Sequence, residues 1–336
     1  MNKTLLLSLL LALLIGTIAF FAWKKSAKAK ELDNYEGTFA IENVDDIGKI
    51  ILSHRAGNVY ILTRDGDGWK INESYPARMS SVTPLLDALR MVQIRYIPSD
   101  KAIGNVMENI DGTWIHAEIF HRNGEKIKSY RVGGVTQDER GTYMIMDGSK
   151  QPFVVHIPSW DGALRTRYTL ELPDWRDRRF MDLNADDITS VKVEYPQQKS
   201  QSFALERRGS GFALAPVYPE LRDYPKTYRD GTGEIFLRAL AEAACEGYEN
   251  QYPLKDSIRG LTPFCQMQIR RKDGKQPVEV RIWPKGAPVY TANSPPVHRL
   301  FVERTPGDFV LVQFDVIKGM LRGYDFFTGS ESNLVF

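Results

Sequence analysis

RDGDGWKI, residues 64–71, sets two aspartates and two glycines side by side, the spacing at which a calcium loop gathers oxygen ligands. A second stretch, RRGSGFAL at 207–214, decides between a metal site and a turn. Gly66, Gly68 and Trp69 recur there as Gly209, Gly211 and Phe212, whereas Asp65 and Asp67 become Arg208 and Ser210. What recurs is backbone freedom with an apolar anchor, as a glycine-rich hairpin requires. An EF-hand loop would also need an oxygen ligand at its fifth position and glycine at its sixth, where Trp69 and Lys70 stand. The stretch reads as a hairpin turn backed by a core aromatic, with no metal.

The match extends in both directions. DIGKIILSHRAGNVYILTRDGDGWKI opens at Asp46 and DITSVKVEYPQQKSQSFALERRGSGFAL at Asp187. IHAEIFHRNGEKIKSYRV (115–132) aligns with CQMQIRRKDGKQPVEVRI (265–282), PFVVHI (152–157) with DFVLVQF (308–314), and GALR (162–165) with GMLR (319–322). The offset drifts smoothly from 141 to 157. One module of about 130 residues is therefore present twice, with small insertions in the second copy.

Within a module, Lys49–Ser53 and Val59–Thr63 read as a hairpin around Ala56-Gly57-Asn58, and Trp69–Ile71 begins a third strand. SSVTPLLDALRMV reads as a helix with Thr83 as cap, Pro84 in its first turn and Leu85, Leu86, Leu89 and Val92 on one face. Its counterpart takes Thr232 as cap and Ile235, Phe236, Ala239, Leu240 and Ala243 as the face. Asn123-Gly124 and Asp273-Gly274 mark one further hairpin per copy, and Asp147-Gly148 marks another between Thr142–Met146 and Phe153–Ile157. The expected fold is α+β: two tandem strand-rich modules with antiparallel sheets and one principal helix each. The expected boundaries are an anchor and basic flank at 1–30, modules at 31–164 and 187–328, a linker at 165–186 and a tail at 329–336.

Leu5 to Trp23 is a run of 19 residues without charge or proline, roughly 28 Å long as a helix. Phe20, Phe21 and Trp23 gather at its far end, and Lys24, Lys25, Lys28 and Lys30 follow. An uncleaved transmembrane helix is the expected reading, because the run exceeds the apolar core of a signal peptide. The lysine count by itself favours a cytoplasmic globular part.

The chain has 336 residues, 43% hydrophobic and 26% charged, ordinary values for a folded protein. Its formal charge is +2, but beyond residue 30 it carries 39 basic and 42 acidic groups, a net of −3. That balance gives no electrostatic footprint for nucleic acid. Two cysteines, Cys245 and Cys265, allow one bridge at most and read better as buried thiols.

No zincin, P-loop, dinucleotide or nucleophile-elbow motif occurs, so neither a catalytic residue nor a cofactor is assigned. His116, Glu118 and Phe120 share one strand face and His121 the other; Gln266 and Arg271 replace the two histidines in the second copy, which argues against a metal pair. Two stretches stand out as candidate partner or ligand contacts. In VGGVTQDERGTYM (132–144), Gly133 and Gly134 allow positive φ or close backbone approach, and Gln137, Asp138 and Glu139 offer acceptors. In the cluster after Pro173, Arg176 and Arg178 could lock the modules together through ion pairs or grip an anion.

VGGVTQDERGTYM, QPFVVHIPSWDG (151–162), PDWRDR (173–178) and VKVEYP (191–196), in this order, resemble the membrane-anchored proteins of the domain of unknown function 4340 family in Bacteroidota. Val135, where the family leads one to expect proline, is a departure that loosens the turn. The resemblance supplies no activity and no catalytic residues. It implies an envelope accessory protein, since related domains occur in auxiliary proteins of ABC transporters, some linked to gliding motility. It also implies a single pass through the cytoplasmic (inner) membrane with the globular part in the periplasm, against the lysine count. The expected function is thus a non-enzymatic membrane-anchored accessory or scaffold protein with a protein partner in the envelope. The alternatives are a small-ligand or lipid binder using a groove between the modules, and an envelope hydrolase using Asp138, Glu139 or Asp177.

Overall fold

The computed structural model describes residues 39–329 except 159, 226, 287–296 and 306, and beyond that range only Thr17 and Leu334. The expected transmembrane helix at Leu5–Trp23 thus lies outside the described residues, apart from Thr17. Among the described residues no helix is long and apolar enough to cross a membrane. The chain divides into two units between Arg176 and Asp177.

The first unit is built on strands β1 (Ile47–His54), β2 (Val59–Asp65), β3 (Gly68–Ile71), β4 (Tyr75–Pro76), β5 (Gln93–Tyr96), β6 (Ile115–His121), β7 (Lys126–Val135), β8 (Thr142–Met146) and β9 (Phe153–His156). They form one antiparallel sheet in the order β4-β3-β2-β1-β6-β7-β8-β9-β5. Helix α1 (Met79–Met91) crosses one face between β4 and β5 and buries Val82, Leu85, Ala88 and Leu89 in the main core. Across from it Ile50, Leu52, Leu62, Ala117, Ile119 and Val132 alternate with outward polar residues, the period of a half-buried strand.

Helix α1 begins four residues before the expected cap, so Thr83 and Pro84 lie inside it. Its start is fixed from outside: Arg78 N–H donates to Trp175 O at 2.7 Å and Ser81 Oγ to Asp174 O at 2.9 Å. The N–H that Pro84 lacks would have met the carbonyl of exposed Ser80, which water can satisfy. Beside the one principal helix expected, the first unit has a second of similar length. Helix α2 (Asp100–Thr113) covers the opposite face, packing Val106 and Ile110 on Ile145 of β8. Gly104 and Gly112, poor helix formers, had hidden it.

The second unit repeats the plan with β10 (Ile188–Glu194), β11 (Phe203–Arg208), β12 (Gly211–Pro216), β13 (Gly247–Tyr248), β14 (Cys265–Arg271), β15 (Val278–Pro284), β16 (Arg299–Thr305) and β17 (Phe309–Gln313). Their order is β12-β11-β10-β14-β15-β16-β17-β13. Strand for strand this is the first sheet without β4. The register shift between Ile47 and Lys49 on β6 recurs between Ile188 and Ser190 on β14. The core helix, running Thr232–Ala241, starts one residue earlier than expected: Gly231 is its cap at φ 81°, and Thr232 Oγ1 donates to Arg229 O at 2.6 Å. Its buried face is Phe236, Leu237 and Leu240, while Ile235, expected inside, is 59% exposed. A five-residue helix, Lys255–Arg259, stands where α2 stands in the first unit. Ile258 and neighbouring Tyr252 cover Trp283, Phe301, Phe309 and Leu311 on the outer sheet face.

Residues 165–186 do not hang free between the units. Tyr168 and Trp175 sit in the first core and Phe180 and Met181 in the second. Cys245 and Cys265 are both buried and are not bridged to each other.

Candidate functional site

Gly133 and Gly134 lie near the end of β7 rather than in a loop, and both are buried. They adopt no positive φ. They serve close approach instead: a Cβ on Gly133 would stand 2.6 Å from Ile110 Cγ1, and one on Gly134 2.5 Å from Asn109 Oδ1. That Asn109 oxygen accepts the Gly134 N–H at 2.7 Å, so the glycine pair seats α2 on the sheet.

The turn that follows folds around Asp138. Its Oδ1 accepts from Thr136 Oγ1 at 2.6 Å and Arg140 N–H at 3.2 Å, and its Oδ2 from Arg95 Nη1 of β5 at 2.9 Å. The Thr136 hydroxyl first, then Arg95, hold this carboxyl down at about 2. It is ionised at neutral pH and is no proton donor for glycoside or peptide hydrolysis. Gln137 and Glu139 are exposed, and Glu139 takes φ 57°. His156 on β9 faces the same strand end, its pKa lowered by burial and by Arg95. The turn therefore presents Gln137 and Glu139 beside a fixed Arg95–Asp138 pair at the β5 edge of the sheet.

Arg176 and Arg178 do not join this group. Arg176 is 7% exposed, its guanidinium 3.7 Å from the Tyr75 ring centre, at the β4 end of the strand order. Arg178, half-buried, belongs to the second unit, where its carbonyl accepts from Cys245 N–H at 2.8 Å. Asp177 is clamped by Arg179 at 2.7 Å and its carbonyl accepts from Tyr248. Burial works against ionisation of Asp177, but the hydrogen bonds from Arg179 outweigh it and keep the carboxyl below its usual range.

The richer chemistry lies on the sheet faces that α1 and its counterpart leave open. On the first sheet, His116 Nε2 lies 2.7 Å from Asp147 Oδ2 and 3.0 Å from Ser129 Oγ, and Ser129 also donates to Asp147. Glu118 faces His116 Nδ1 at 4.0 Å and pairs with Lys126. Burial opposes the charge on Asp147, yet the bonds from Ser129 and His116 hold its carboxyl below the ordinary range. This is not a nucleophile relay. Asp147 occupies the same imidazole nitrogen as Ser129, and Glu118, at 4.0 Å from the other, lies beyond hydrogen-bond reach, whereas a relay requires a hydrogen-bonded acid there. His121 turns away to Asp46, as its strand position implied. Among the described residues no group of histidine, cysteine and carboxylate side chains is arranged to hold a metal.

The second sheet carries a concavity of 180 Å³ on the corresponding face, lined by Lys192, Glu194, Gln266, Gln268, Glu279 and Arg281. Gln266, Gln268 and Glu279 hold the register positions of His116, Glu118 and Ser129. At its border Glu303, 4% exposed, accepts from Arg259 and from Arg281 at 2.6 Å. Sequence reasoning weighed His116 only as a metal ligand and passed over Ser129, Asp147 and the glutamine pair. The signal was present in the aligned strands, where outward positions are polar in both copies yet differ in kind.

No curated protein and no solved structure matches the chain. The family model for the domain of unknown function DUF4340 matches residues 69–257, which runs from Trp69 in the first sheet across the junction into the helix before β14. That span contains the glycine pair, the Asp138 turn and the Pro173 cluster, and the chain belongs to the DUF4340 family.

Proposed function

We propose that this chain is a membrane-anchored accessory or scaffold subunit of the cell envelope, non-enzymatic, docking a protein partner such as the permease of an ABC transporter or a motility-type complex. The observation that carries the reading is the twinned outer face. Two sheets of one plan each leave a polar strip uncovered beside a covering helix, with different side chains on each strip. A flat strip of mixed charges and amides suits a protein surface better than a reaction centre. The run Leu5–Trp23 supports a single transmembrane helix, and the family resemblance, against the lysine count, favours the inner membrane with the sheets on the periplasmic side.

Crosslinking and co-purification of the full chain from native membranes test this. Recovery of a transporter permease in fixed ratio is the expected result; recovery of the chain alone overturns it. A second reading, a small-ligand binder, is favoured by the 180 Å³ concavity with its Gln266 and Gln268 amides. Charge substitution at Glu279 and Arg281 would then alter ligand binding and leave partner recovery intact.

A further inference from the structure

The two units differ at one sheet edge. In the first, β3 is covered: Lys70 pairs with Pro76 and Ile71 with Tyr75 of β4, and Ala77 N–H donates to Trp69 O at 2.7 Å. Trp69 is 3% exposed and Ile71 fully buried. In the second, β12 is the terminal strand, and among the described residues no strand pairs with its outer side. Phe212 and Leu214, the register equivalents of Trp69 and Ile71, are only partly buried.

The direction of the free backbone groups follows from the pairing. Val217 N–H donates to Ser202 O at 3.2 Å, and Arg208 and Gly211 flank a two-residue turn. Both facts place Gly211, Ala213 and Ala215 with their backbone groups toward β11. Phe212, Leu214 and Pro216 therefore aim theirs outward, and Pro216 has no N–H to offer. Exposed edges are normally blunted by charge, by proline or by a bulge; of these the six residues GFALAP carry only Pro216, at the strand's end, and no charged side chain.

We propose that β12 is a homodimer edge, pairing antiparallel with β12 of a second copy about a twofold axis at Ala213. In that register Phe212 meets Leu214 of the other copy, and the two pairs supply four backbone hydrogen bonds. Ala213 faces its twin with the smallest side chain that leaves strand geometry intact. Gly211 lies opposite Ala215, and Pro216 ends the ladder where it has nothing to donate. The strand is thus complementary to itself in length, in charge and in side-chain size. Phe212 and Leu214 gain the cover that β4 gives Trp69 and Ile71.

The test uses the full chain in detergent micelles. Cys245 and Cys265 are buried and give no background. Non-hydrogen-bonded antiparallel pairs set Cα atoms about 4.5 Å apart, within disulfide reach, so Ala213→Cys should oxidise to a covalent dimer with copper phenanthroline. Ala215→Cys, displaced from its own twin by four residues, should crosslink at least tenfold more slowly. Mass photometry should find the wild type dimeric and Ala213→Lys monomeric, with the fold retained by circular dichroism. Equal crosslinking at both positions, or a monomeric wild type, overturns the proposal. A monomer whose Phe212 and Leu214 amides resist hydrogen exchange also overturns it, and would assign the edge to a segment of the same chain.

Discussion

Arg64 and Arg207 are the residues that make the opening stretch and its counterpart one device. Arg64 donates from Nε to Ile47 O at 3.0 Å and from Nη2 to Val44 O at 3.3 Å, with its guanidinium 4.8 Å from the Trp69 ring centre. Arg207 repeats this on Ile188 O at 3.2 Å and Ala185 O at 3.1 Å, 4.9 Å from Phe212. Each arginine thus ties a hairpin to the turn that leads into the sheet's central strand. Arg64→Ala is expected to cost about 2 kcal/mol in denaturant unfolding of the first unit, from two charge-assisted bonds and the lost ring contact. Arg64→Lys should recover little of it, since an ammonium cannot span both carbonyls. In sequence the glycines and the aromatic drew attention, and the arginine ahead of them was given no role. Its partners are main-chain carbonyls, which leave no trace in residue type. Asp138 carries a pH signature at the same scale. Its folded carboxyl titrates at about 2 against 3.8 for a free aspartate, so its contribution is complete above pH 4 and lost as pH falls through 2. The stability gap between wild type and Asp138→Asn should be constant from about pH 7 to 5 and close between about pH 4 and 2; a gap that persists at pH 2 would contradict the Thr136 and Arg95 contacts.

At the scale of elements, hairpins were the most legible features. Asn123-Gly124 and Asp273-Gly274 sit where the sequence puts them, with Gly124 at φ 90° and Gly274 at φ 67°. A turn states its chemistry in two residues. Helix starts were less legible, because α1 is begun by carbonyls nearly a hundred residues away. Helix α2 was missed although Ile103, Val106, Met107 and Ile110 stand at i, i+3, i+4 and i+7, because Gly104 and Gly112 interrupt the pattern; its close seat also needs the absence of side chains at Gly133 and Gly134. Gly133→Ala should therefore push Ile110 off the sheet. A destabilisation of about 2 kcal/mol is expected, with faster hydrogen exchange concentrated in 100–113. A neutral Gly133→Ala would mean that α2 does not depend on this contact.

For the whole molecule, the duplication was legible because order and spacing survive where residue identity does not. The polar faces were not, since no short motif marks them; they exist only once β10, β14 and β15 lie side by side. Leu62 and Leu205 occupy the same place in the two cores and are both buried. Replacing either by alanine should cost about 3 kcal/mol. Exchange should quicken chiefly in the sheet that was altered, and loss of protection throughout the chain would show that the two cores melt as one.

The placement of the two cysteines gives the chain a one-sided clock. Both lie in the second unit, on and beside its sheet, and burial pushes the Cys265 thiol far above its ordinary range. A thiol reagent therefore waits for that sheet to open and is blind to the first. Labelling rate against denaturant would time one half of a duplicated protein without any engineered probe. Neither thiol is committed to a bridge, so the same half should regain its fold with no oxidant supplied.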